Sequence, residues 1–122
     1  MIHLDYRDAR PIYVQITDNL RSLIRSGVLR PGDKLPSVRE LAAELAINPN
    51  TIQRSYRELE VQGCVASVPG KGCFVCAGQE FFRQEQAPLW QQLEQTLQQL
   101  EQLGVTREEI LQHITKGGNT YD

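Results

Sequence analysis

The apolar residues of this chain change their spacing from segment to segment, and each change marks an element. From Pro11 to Gly27, Ile12, Ile16, Leu20, Leu23 and Ile24 recur at intervals of three and four, one stripe of an amphipathic helix, and Gly27 supplies its stop. After a turn at Pro31-Gly32, the run from Ser37 to Glu40 predicts a capping box, in which Ser37 accepts from the Glu40 N–H while the Glu40 carboxylate reaches back. The helix it starts has the stripe Val38, Leu41, Ala42 and Leu45 and runs out at Ala46-Ile47. A third helix begins almost at once. Asn48 fits an N-cap, Pro49 fits the first helical position, where a missing N–H costs nothing, and Ile52, Tyr56 and Leu59 follow at i, i+4 and i+7. Two short helices joined so tightly make a helix-turn-helix.

Gly63 ends the third helix. Residues 64–68 (CVASV) and 73–76 (CFVC) are short β-prone runs flanking Pro69-Gly70-Lys71-Gly72, which predicts a hairpin with a glycine-rich tip and one cation. Two strands after a helix-turn-helix make a winged helix. From Pro88 onward, Trp90, Leu93, Leu97 and Leu100 form a narrow seam of the kind that packs against another helix. Thr106 to Glu109 offers a second capping box, opening a short helix with Ile110, Leu111 and Ile114. The expected fold class is mainly α with a small β-hairpin: a winged helix-turn-helix over residues 1–77, then a linker and a two-helix segment over residues 78–122.

The polar positions of the third helix carry the candidate chemistry. Counting about 100° per residue from Ile52, Arg57 projects at about 140°, Asn50 at about 160° and Arg54 at about 200°, with Gln53 at about 100° on the flank. All point away from the core. Asn and Gln can bond adenine in two places, Arg can do the same to guanine, and the free N–H groups of a helix N-terminus suit a phosphate. A merely solvated face is the bland alternative, but solubility requires neither the Asn-Pro-Asn start nor the short preceding helix. Tyr56, at about 40°, fits the core better than a phosphate contact.

A net charge of −2 argues at first against a polyanionic partner, yet the charges are unevenly placed. Residues 1–78 hold ten Lys/Arg and eight Asp/Glu, whereas residues 79–122 hold three and seven, so only the N-terminal portion is positive. A chain of 122 residues suits one domain with an appendage. No run approaches the roughly 18 apolar residues of a membrane span, and MIHLDYRDARP is charged where a signal peptide needs an apolar segment. A cytoplasmic location is expected, with Cys64, Cys73 and Cys76 as thiols. Glutamine crowds residues 79–102, which reads as a polar helix surface rather than low-complexity assembly, because a regular apolar seam runs through the same residues.

The string PGDKLPSVRELAAELAINPNTIQRSYRELEVQG, followed by GKGCFV and preceded by PIYVQI, closely resembles the DNA-binding domain of GntR-type transcription regulators over residues 8–77. The resemblance implies a winged helix-turn-helix that binds double-stranded operator DNA as a dimer. It places Arg39, Asn48, Asn50, Thr51, Gln53 and Arg54 at the DNA, with Gly70, Lys71 and Gly72 at the wing tip. Lys34 and Ser37 join them as phosphate contacts, and Arg57 joins from the helical wheel. One departure stands out: many relatives carry basic residues just before the wing glycines, where this chain has Val68-Pro69.

The segment after the wing is too short for the large effector domains of other members and is similar to that of the YtrA subfamily, whose members dimerise through it and commonly govern operons for membrane transporters. The seam of Trp90, Leu93, Leu97, Leu100, Ile110, Leu111 and Ile114 is therefore expected to join two subunits, presenting two recognition helices to an inverted repeat. Alternatively the seam packs back on its own winged domain, or the winged helix docks a protein partner without touching DNA. No small-molecule effector can be named.

Catalytic and metal chemistry find little support. Cys73-Phe-Val-Cys76 has a C-x-x-C form, but residues three apart on a strand point to opposite faces, and no second ligand pair lies close in sequence. His3 and His113 are isolated, and Lys71 between glycines resembles a phosphate loop only superficially. No cofactor, metal or enzymatic activity is expected.

Overall fold

The computed structural model describes residues 2–117; Met1 and residues 118–122, the two ends of the expected segments, lie outside the described residues. Helix α1 spans Ile12–Arg25, α2 Val38–Leu45 and α3 Pro49–Val61; strands β1 (Val65–Val68) and β2 (Gly72–Val75) follow, then α4 (Gln79–Gln102) and α5 (Arg107–Gly117). The architecture is the expected one, mainly helical with a single hairpin. It divides into two compact units, Met1–Glu85 and Gln86–Asp122, with the division inside α4.

In the first unit the apolar stripes meet as their spacing requires. Ile16, Leu20 and Ile24 of α1 pack with Leu41 and Ala42 of α2 and with Ile52, Tyr56 and Leu59 of α3, while Leu35, Val65 and Val75 close the core from the hairpin side. Burying each large aliphatic side chain contributes about 1.5–3 kcal/mol. Tyr56 belongs to this core, and its hydroxyl donates to the Pro36 carbonyl at 2.7 Å. Two buried hydroxyls enter this core as a pair. The Thr17 hydroxyl donates to Tyr13 O at 2.7 Å and lies 2.9 Å from the fully buried Ser55 hydroxyl. Because the one Thr17 proton goes to the carbonyl, Ser55 is the donor between the two hydroxyls.

Local signals set the helix starts. Ser37 Oγ accepts from Glu40 N–H at 3.1 Å, one of the two bonds of the expected box, and Asn48 Oδ1 accepts from Asn50 N–H at 2.8 Å, with Pro49 in the first turn. Between them Ala46 takes a left-handed conformation, φ 55°, and Ile47 N–H donates back to Ala42 O at 2.9 Å, so α2 ends and α3 begins with only three residues between them.

The hairpin pairs Val65 with Val75 and Val68 with Gly72; β1 omits Cys64 of the expected run 64–68, and β2 is shifted by one residue from the expected 73–76, taking Gly72 from the tip and leaving Cys76 outside. A further strand-like contact was not legible in the sequence. Lys34 bridges Phe74, Leu35 N–H donates to Cys73 O and Val75 N–H donates to Asp33 O, both at 2.8 Å. This run is too short to show alternation in the sequence; it covers the otherwise open edge of β2.

α4 begins at Gln79, well before Pro88, so the residues read as linker are helical and Pro88 lies inside the helix. The first turns, before the proline, are anchored on the first unit. Phe81 is buried in the core and meets Phe82 edge to face at 5.1 Å, and the Glu85 carboxylate binds Arg21 at 2.5 Å and Arg25 at 3.6 Å. In the second unit α4 turns into α5 through Gly104 (φ 92°), with Val105 N–H donating to Leu100 O at 3.0 Å and Thr106 Oγ accepting from Glu109 N–H at 3.2 Å. Leu93, Leu97, Leu100, Ile110 and Ile114 line a hollow of about 370 Å³ between the two helices, yet Trp90, Leu111 and Ile114 remain at least 60% exposed. A pair of helices cannot bury both faces of this seam.

The hydroxyl pair makes a stability prediction. Thr17→Val leaves a buried donor on Ser55 without its partner and is expected to cost roughly 1–3 kcal/mol. Thr17→Val with Ser55→Ala should recover much of that loss in urea unfolding, and equal destabilisation by single and double variants would refute the pairing.

Candidate nucleic-acid interface

Capping and core packing together decide which side of α3 faces out. With Ile52, Ser55, Tyr56 and Leu59 buried, Asn50, Gln53, Arg54 and Arg57 are exposed and Thr51 is half-buried. Asn48 spends its side-chain oxygen on the cap, which leaves its amide nitrogen as a donor. Ser37 likewise accepts at α2 and keeps its hydroxyl proton to give. Arg39 is exposed in the first turn of α2.

The hairpin folds back beside α3 and encloses a groove of about 760 Å³. Of the twelve residues expected at a nucleic acid, seven line it: Lys34, Ser37, Gln53, Arg57, Gly70, Lys71 and Gly72. Asn50, Thr51 and Arg54 instead line a neighbouring hollow of about 370 Å³ together with Pro11, Ile12 and Tyr13. Arg39 and Asn48 line neither. The groove therefore joins three cations, Lys34, Arg57 and Lys71, which lie far apart in sequence. Glu60 also lines it, its carboxylate accepting from the Ser67 hydroxyl at 2.9 Å, so the wall is not uniformly positive.

Backbone geometry explains the wing glycines. Gly70 has φ 74° and Gly72 φ 123°, and a Cβ on Gly72 would sit 2.7 Å from Lys34 Cε. The Lys34 side chain thus lies across the base of the wing, while the positive φ at Gly72 is what favours a residue without a side chain there. Tyr13 was not anticipated from the sequence. The Arg54 guanidinium carbon lies 3.8 Å above its ring, and Arg54 Nη2 donates to its hydroxyl at 3.2 Å. The available signal was an aromatic residue beside the apolar stripe of α1, four residues before Thr17.

Titration behaviour separates structural groups from reactive ones. Burial pushes the Tyr56 phenol above its ordinary range and keeps it a neutral donor to Pro36. Burial also pushes the Cys64 thiol up to about 11 and raises that of half-buried Cys73, so neither is an activated thiolate. Cys76 is exposed beyond β2. Among the described residues no group of three or more His, Cys, Asp or Glu is placed to hold a metal ion, and no helix is long and apolar enough to cross a membrane.

Comparison with known proteins matches residues 12–75 to the family described as bacterial regulatory proteins, gntR family. The chain is 41% identical over 117 residues to the uncharacterized HTH-type transcriptional regulator YhcF of Bacillus subtilis, covering 93% of this chain and 97% of that protein. It is 45% identical over 75 residues to the HTH-type transcriptional repressor YtrA of the same organism, covering 62% of this chain and 58% of that one. Among solved structures, the AraR DNA-binding domain in complex with operator ORE1 superposes with a TM-score of 0.54 at 30% identity, over 62% of this chain and 93% of that one. The chain belongs to the GntR family, in its YtrA-like branch, and is a DNA-binding transcription regulator rather than an enzyme.

Proposed function

We propose that the protein is a cytoplasmic homodimer that represses transcription by occluding a promoter, bound to an inverted-repeat operator of an operon such as one for a membrane transporter. The observation that carries the phosphate contacts is the groove beside α3, where residues from the α1–α2 connection, α3 and the wing converge with Gln53 on its wall; Asn50 and Arg54 line the neighbouring hollow. Lys34, Ser37, Lys71 and the wing backbone at Gly70 and Gly72 would meet phosphates and set register, while Arg39, Asn50, Gln53 and Arg54 would read base edges. Asn48, Thr51 and Arg57 flank that reading face. The solved AraR complex supports operator DNA as the partner class, and the name of the YtrA repressor supports repression. The transporter operon rests on the resemblance to the YtrA group alone.

Dimerisation is assigned to the seam of Trp90, Leu93, Leu97, Leu100, Ile110, Leu111 and Ile114. Its support is the apolar surface that the α4–α5 pair leaves exposed, which in a soluble protein marks an interaction site. Two recognition helices related by a two-fold axis would meet half-sites separated by about one helical turn of DNA or a multiple of it.

Selection of bound duplexes from a random library at about 0.15 M salt tests the whole reading, since that salt suppresses much non-specific binding. An enriched inverted repeat is the expected result, and no enrichment by the folded protein would favour a protein-docking module instead. On the selected duplex, Arg54→Ala should cost roughly 1–3 kcal/mol and relax the preference at one base, whereas Lys71→Ala should weaken all sequences alike and lower the salt slope by about 1. For the dimer, Leu97→Glu should give a monomer in sedimentation that retains the folded winged domain. A Leu97→Glu protein that stayed dimeric would move the interface elsewhere.

A further inference from the structure

We infer that Tyr13 is a positioning residue for DNA recognition: its ring and hydroxyl hold the Arg54 guanidinium in one orientation before DNA arrives. The inference rests on the reading of Arg54 as a base-contacting residue.

The geometry follows from the helix register. Thr17 and Tyr13 lie one turn apart on the same face of α1, and Ser55 and Arg54 are successive on α3. The Thr17–Ser55 bond at 2.9 Å ties α1 to α3 at one point, and Tyr13, one turn before Thr17 on α1, meets Arg54, the residue before Ser55 on α3. The same Thr17 hydroxyl also ties to Tyr13 O at 2.7 Å, so the buried contact and the surface contact share one residue. Tyr13 is itself half-buried, which gives the guanidinium a fixed platform.

A solvent-exposed arginine ordinarily moves among many rotamers, and ordering it on binding opposes affinity. Here the guanidinium carbon stacks at 3.8 Å on the ring centroid and Nη2 donates to the phenol oxygen at 3.2 Å. A stacked guanidinium gives one face to the ring and keeps its remaining N–H groups at the edge, where a guanine edge is recognised in two places. Tyr13, Asn50, Thr51 and Arg54 line one hollow, so the held edge stands beside the first turn of α3 rather than alone on the surface. The phenol accepts one donor and leaves the others, which is the difference between positioning and sequestration.

The test has one arm without DNA and one with it. In the free protein, ¹⁵N relaxation of Arg54 Nε should report a restrained side chain in the wild type and in Tyr13→Phe, which keeps the stack, and a mobile one in Tyr13→Leu. On the duplex obtained by selection, Tyr13→Leu should weaken binding by about two- to fivefold, the range of an exposed cation–π contact, and reduce discrimination at the base that Arg54→Ala relaxes. Tyr13→Phe should recover most of both effects, and Tyr13→Leu in an Arg54→Ala background should add nothing further. Equal Arg54 mobility in all three proteins, a Tyr13→Leu loss undiminished in the Arg54→Ala background, or tighter binding by Tyr13→Leu would overturn the inference; the last would make Tyr13 a restraint that DNA must break. Arg54→Ala without effect on binding would instead remove the assigned reading of Arg54, and the inference with it, whatever the relaxation shows.

Discussion

The packing of α1 against α3 is the constraint on which the rest of the molecule depends. α3 is 13 residues long and begins with Asn48 and Pro49, a start that specifies where the helix begins but not which way its polar side faces. Orientation comes from burying Ile52, Ser55, Tyr56 and Leu59 against the stripe of α1. The Thr17–Ser55 hydrogen bond adds what apolar burial cannot, an axial register, because a buried hydroxyl without a partner costs more than a small shift of methyl groups. Once the helices are locked, Asn50, Gln53, Arg54 and Arg57 have no direction left but outward.

The wing depends on the same frame by a second route. Its hairpin has only two strands of four residues and would be marginal alone. Val65 and Val75 pin it to the core, and the segment from Gly32 to Leu35 supplies a second row of backbone hydrogen bonds along β2. That extra row brings Lys34 across the base of the wing at Gly72, joining a cation of the α1–α2 connection to the cation at the tip. The groove beside α3 is thus a product of β-pairing as much as of helix packing. Glu60, held by Ser67 on its wall, keeps the field there from being uniformly positive, in line with a chain whose net charge is negative.

The second unit shows a different balance. Its two helices are capped at Thr106 and turned at Gly104, yet they leave large apolar side chains in water. Such a surface is costly for a lone chain and ordinary for one that associates.

By itself the sequence determined the existence and order of the elements, since periodicity, caps and turn residues act over a few neighbours: the stripe from Ile12 to Ile24, the Ser37 and Asn48 caps, and the glycines of the wing tip all appear where local chemistry puts them. It also determined the outward face of α3, because a helix repeats every 3.6 residues whatever surrounds it, and the long PGDKLPSVRE to VQG string made the family recognisable. Only the tertiary structure decided how those pieces combine. Strand pairing of residues 32–35 with β2, the helical path through Pro88 and the seat of Arg54 on Tyr13 each join groups distant in sequence or override a local preference. For the strand pairing and the Arg54 seat, the deciding contact is made only after the chain has folded back on itself: a backbone edge to be paired, a guanidinium to be stacked. Such contacts leave no periodic trace in the residues that make them.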